Sequence, residues 1–128
     1  VTGPQPIWRI TEGAPRESDV VASVERLLDE GLTPVSIVVL CEDAALANRL
    51  RERSIGAYSF GRWGSRGVPV ESISRFKGLD AAAVVLALAE NKGPAHQAQA
   101  YVGMSRARSL LAVVGSLTTK NAVNWPSR

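Results

Sequence analysis

Three apolar runs constrain this chain more than any other feature: Ser36-Ile37-Val38-Val39-Leu40-Cys41, Ala82 to Leu88, and Leu110 to Val114. None alternates polar with apolar residues, so each predicts a strand buried on both faces, the habit of parallel sheets flanked by helices. Helical patterns stand between the runs. Val20, Val21, Val24, Leu27 and Leu28 share one helical face, with Ser18 as a start signal and Gly31 as a left-handed cap. Asp43 reads as the N-cap of a helix from Ala44 to about Arg53, with Leu46 and Leu50 facing inward. Pro6 to Ile10, Ala57 to Phe60 and Val68 to Ile73 are further strand-like segments. Pro94 opens a helix expected to reach about Arg108. The alternation predicts an α/β three-layer sandwich around a mainly parallel sheet. A single domain over residues 1–128 is expected, with 118–128 as a polar tail.

Composition excludes several classes. A chain of 128 residues that is 45% apolar can bury a real core, so disorder is not expected. No apolar run approaches the ~20 residues that span a bilayer, so no membrane partner is expected. Cys41 is the single cysteine, which rules out an intrachain disulfide and fits a reducing, cytoplasmic setting. The chain begins at Val1 rather than Met, which suggests an excised fragment of a larger protein. Net charge is +3, unevenly spread: residues 1–60 hold nine acids and six bases, residues 61–128 three acids and nine bases. A basic half beside an acidic half points to an anionic partner such as phosphate, nucleotide or nucleic acid.

Two segments carry candidate chemistry. Ser72-Ile73-Ser74-Arg75-Phe76-Lys77-Gly78-Leu79-Asp80 gathers hydroxyls, two cations, a glycine and a carboxylate between two strand-like runs. Hydroxyls and cations can hold phosphate oxygens, and glycine lets backbone approach a ligand. A crossover loop with solvated charges is the plainer alternative. The second segment is Tyr101-Val102-Gly103-Met104-Ser105-Arg106-Ala107-Arg108. On a regular helix Arg106 and Arg108 point about 200° apart, so one of them could reach a ligand and the other meet solvent. Elsewhere, Arg62, Trp63 and Arg66 join cations to an aromatic ring within a glycine-rich stretch. Such a loop can stack on bases and meet phosphates, or merely cover a core edge. His96 has no second ligand at metal spacing, and Cys41, ending an apolar run, reads as packing.

The two segments resemble motifs V and VI of superfamily 1 helicases of the UvrD/Rep type, in their second RecA-like motor domain. Motif V there reads approximately T-x-H-x-x-K-G-L-E, against Ser72 to Asp80 here. Motif VI reads approximately Y-V-(A/G)-(L/V/I)-(T/S)-R-A-(R/K/Q), against Tyr101 to Arg108. Their order, their spacing and the strand at the motif IV position extend the resemblance from about Ser36 to Gly115.

The resemblance implies a RecA-like fold and the C-terminal motor domain of an ATP-dependent DNA helicase. Arg106 would be the catalytic arginine that reaches the γ-phosphate of ATP. Gly78 and Asp80 would approach the nucleotide, Asp80 at its ribose. Ser72, Ser74, Arg75 and Lys77 would lie on the nucleic-acid side of motif V; Arg62, Trp63 and Arg66, outside the motifs, are candidate contacts on their own chemistry. The implied partners are single-stranded DNA, with RNA as the alternative, and the first RecA-like domain of the same chain. ATP with Mg2+ would be held mainly by that first domain, because no G-x-x-x-x-G-K-(S/T) and no acidic metal-binding pair after a strand occur here. No cofactor is expected on the fragment alone, which should not hydrolyse ATP. Two departures stand out. Cys41 and Glu42 occupy the places where many relatives carry Tyr-Arg, and Ser74 stands where they carry His. A non-hydrolysing nucleic-acid-binding or regulatory module is therefore the alternative.

Overall fold

The computed structural model describes residues 6–52, 54–55, 58–61, 67–73, 81–88, 104, 106–117 and 119. Its elements run in chain order: β1 (Pro6–Thr11), α1 (Glu17–Asp29), a 3-10 turn (Pro34–Ser36), β2 (Ile37–Cys41), α2 (Ala44–Leu50), β3 (Ser54–Ile55), β4 (Tyr58–Gly61), β5 (Val68–Ser72), β6 (Ala81–Ala87) and β7 (Ala107–Ser116). The sheet order is β1-β7-β6-β2-β5-β4-β3. Six strands are mutually parallel, and β3 joins β4 antiparallel at one end.

The three apolar runs became the centre of this sheet. Both α1 and α2 pack on one face, where Val20, Val24, Leu27, Leu46 and Leu50 meet Ile37, Val39, Val85 and Val114. Alternate residues of the same strands, Val38, Leu40, Val84, Leu86 and Leu111, form a second core with Ile73 and Met104. Each of those five strand residues is 0% exposed, so both sheet faces are covered and the expected three layers are present. Strand direction explains the division. From β1 to β2 to β5 the chain advances across the sheet in one sense, with its helices on one face. From β5 to β6 to β7 the chain returns in the reverse sense. Ile73 and Met104, on these return connections, are buried in the second core.

Local signals account for most boundaries. Asp43 accepts a hydrogen bond from the Ala45 backbone N–H at 2.9 Å, the expected N-cap. Gly31 has φ 101°, a conformation that side-chain-bearing residues rarely adopt, and it ends the α1 segment as expected. Ser18 is not the cap of α1: the helix starts at Glu17, and Asp19 reaches back to the Arg16 N–H at 3.0 Å.

Two helix ends differ from expectation. α2 stops at Leu50 rather than near Arg53; Arg51, its C-cap, keeps helical dihedrals while its side chain reaches β5, where Nε donates to the Val70 carbonyl at 3.0 Å. The helix expected to reach Arg108 stops short of it, since Ala107 already pairs with Ala81 and opens β7. Most of that helix lies outside the described residues. At the far end of β7, Ser116 accepts from the Thr119 N–H at 3.1 Å and Thr119 is buried, so the stretch read as a polar tail includes a packed residue.

Candidate nucleotide and nucleic-acid edges

Parallel strands put the two chemistry-bearing segments in register, but at opposite ends of the sheet. Ser72 ends β5 and pairs with Cys41, which in turn pairs with Ala87 at the carboxyl end of β6. Arg106 precedes β7, whose Ala107 pairs with Ala81 at the amino end of β6. At about 3.3 Å per residue, Ser72 and Arg106 stand about 20 Å apart along the strands. Of the expected site residues only these two are described. Arg62, Trp63, Arg66, Ser74, Arg75, Lys77, Gly78 and Asp80 lie outside the described residues, as do His96 and Tyr101.

At the amino edge, the Ala81 N–H donates to the Arg106 carbonyl at 2.9 Å. The residue after Asp80 is thus bonded to Arg106 itself, so the ends of the two motif-like segments enter the sheet side by side. Ala107 is buried, Arg106 is half-buried and Arg108 is exposed. Arg106 and Arg108 do not share a helix, so the expected 200° separation does not apply. Pairing shifts from Ala81–Ala107 to Ala83–Leu110, which gives β7 one extra residue. Such a bulge re-aims side chains, and here Arg108 and Ser109 are both exposed. The edge therefore carries two cations beside a small, buried alanine. That donor set suits an anionic ligand rather than a metal, and among the described residues no three His, Cys, Asp or Glu side chains converge on a metal position.

The carboxyl edge has a different chemistry. Open α/β sheets commonly bind ligands where adjacent strands exit in opposite senses. Here that switch lies between β2 and β6, flanked by Cys41, Glu42 and Leu88. Glu42 adds negative charge and Leu88 is buried, so these residues do not make a phosphate cradle. The expectation that ligands favour carboxyl ends therefore does not fit Arg106, whose edge is the amino one.

Cys41 is 0% exposed, and burial pushes its thiol from an ordinary 9.0 up to about 12, against a smaller downward pull from Arg51. A raised folded value means the unfolded chain ionises first. The stability this neutral thiol contributes is complete below about pH 9 and is lost as pH rises through about 12. Unfolding free energies measured in urea should fall more steeply across that window for the wild type than for Cys41→Ala. Parallel curves would contradict the burial argument.

One cluster near Ser72 escaped the sequence reading. The Arg51 guanidinium donates from Nε to Val70 O (3.0 Å), from Nη1 to Asn48 Oδ1 (2.7 Å) and from Nη2 to Glu71 Oε1 (3.3 Å). Glu71 is 6% exposed. The available signal was a carboxylate inside the strand-like run Val68-Pro69-Val70-Glu71-Ser72, because a buried acid needs a partner.

No family model and no curated protein matches the chain. Among solved structures, the chain is similar to the C-terminal domain of a possible DNA helicase from Lactobacillus plantarum WCFS1. The TM-score is 0.69 at 18% identity, over 94% of this chain and 81% of that one. The likeness is one of fold, an α/β sandwich with a parallel sheet that is consistent with a RecA-like domain.

Proposed function

We propose that this chain is the second motor domain of an ATP-dependent DNA helicase of the superfamily 1 type. The observation that carries the proposal is the backbone bond between Ala81 and Arg106, which joins the ends of the motif V-like and motif VI-like segments at one edge of the sheet. The fold it shares with the C-terminal domain of a possible DNA helicase supports the same assignment.

In this account Arg106 faces a nucleotide held mainly by a first RecA-like domain. Bound ATP with Mg2+ supplies the phosphoryl group that passes to water. Arg106 neutralises the charge that develops on the transferring oxygens, as arginine fingers do. Gly78 lets the loop come close, and Asp80 accepts from the ribose. Ser72, Ser74, Arg75 and Lys77, with Arg62, Trp63 and Arg66, contact single-stranded DNA, or RNA in the alternative case. Opening and closing of the cleft between the two domains moves the strand.

A second account has one observation in its favour. Cys41 is wholly buried and Glu42 follows it, so neither provides the adenine stacking and phosphate contact that Tyr-Arg would. In that account the domain is a nucleic-acid-binding or regulatory module without hydrolysis. ATP turnover by the full-length protein separates the two. The motor account expects turnover that single-stranded DNA stimulates, and the module account expects none.

A further inference from the structure

The Val70 carbonyl accepts a side-chain hydrogen bond, from Arg51 Nε at 3.0 Å. Among the described residues, β4 pairs with β5 at Phe60–Val68 and Gly61–Pro69. One residue further on, the Arg51 Nε–H meets the Val70 carbonyl much as a ladder N–H would. The same guanidinium neutralises Glu71 at 3.3 Å, with the two side chains only 15% and 8% exposed, and it is braced by Asn48 on α2. Three acceptors converge on one planar donor, which a lysine cannot reproduce. Removing it would leave a buried carboxylate without this partner and free Val70 and Glu71 of β5 from α2. The next residue is Ser72, followed by Ile73, whose N–H bonds the Cys41 carbonyl.

We propose that Arg51 is a positioning residue that fixes how Ser72 is held at the end of β5, and thereby sets affinity for single-stranded nucleic acid. This rests on the assignment of Ser72 to the nucleic-acid side. It extends that assignment to a residue that makes no nucleic-acid contact itself, and it links α2 to the start of the motif V-like segment.

The test uses the full-length protein and an oligothymidylate as the single-stranded probe. Arg51→Ala and Arg51→Lys should each raise the oligothymidylate concentration needed for half-maximal ATPase stimulation by about tenfold, the scale of a lost charge-assisted hydrogen bond, while the KM for ATP stays within about twofold of wild type. Glu71→Gln, which keeps the Oε1 acceptor, should stay near wild type. A general folding defect would move both constants together and would overturn the proposal, as would unchanged oligothymidylate dependence in Arg51→Ala. If the wild type shows no stimulation by oligothymidylate at all, the motor assignment fails, and the positioning role fails with it.

Discussion

Arg106→Ala in the full-length protein should lower ATP turnover by about 10³–10⁵-fold, the range that arginine fingers contribute in related phosphoryl transfer. The fold should survive, because the bond that ties Arg106 to β6 uses its backbone carbonyl and not its side chain. Ala107, which follows it, stays buried against the second core, and the β6–β7 pairing does not involve the guanidinium. Circular dichroism of the variant should therefore match wild type while turnover collapses. Arg106→Lys should recover little, since a point charge does not replace a planar fork on a transferring phosphoryl group. Wild-type turnover in Arg106→Ala would remove the central residue of the motor account.

Leu86→Ala should have the largest effect on stability, a loss of about 2–5 kcal/mol. Leu86 is 0% exposed on β6, paired with Leu40 on one side and Val113 on the other. It points into the second core, on the face opposite α1 and α2. Truncation there removes apolar contacts from a site held by paired strands on both sides, which limits collapse around the cavity. Leu117→Ala makes the control, because Leu117 is 57% exposed and should change stability by no more than about 0.5 kcal/mol. Urea unfolding of both variants measures the difference. Equal small losses would mean that the second face is not a packed layer.

Much of the fold was legible in the chain because strand burial leaves a direct trace. Ile37 to Leu40 carries no polar residue, and a run of that kind has few homes other than a strand covered on both faces. Asp43 and Gly31 were readable for the same reason: each does a backbone job that few residues can do. The misreadings involve contacts distant in sequence. Nothing local in Leu50-Arg51-Glu52-Arg53 says that the Arg51 side chain will reach a carbonyl nineteen residues on. Likewise Ala107-Arg108 suits a helix end by propensity, and only the pairing with Ala81 makes it a strand. At the candidate site, the resemblance to motifs V and VI singled out Arg106 and Ser72. It did not reveal that they stand at opposite edges, because that follows from β5, β6 and β7 all being parallel. The Arg51–Glu71 pair was visible only as an unexplained acid in an apolar strand.

The most direct measurement is ATP turnover by the full-length protein, with and without single-stranded DNA, beside calorimetric titration of ATP into the 128-residue chain alone. The motor account predicts DNA-stimulated turnover in the whole protein and weak or undetectable ATP binding by the chain, since the phosphate-cradling motif is not in this sequence. Tight ATP binding by the isolated chain, or a full-length protein that hydrolyses no ATP in the presence of single-stranded DNA, would contradict it.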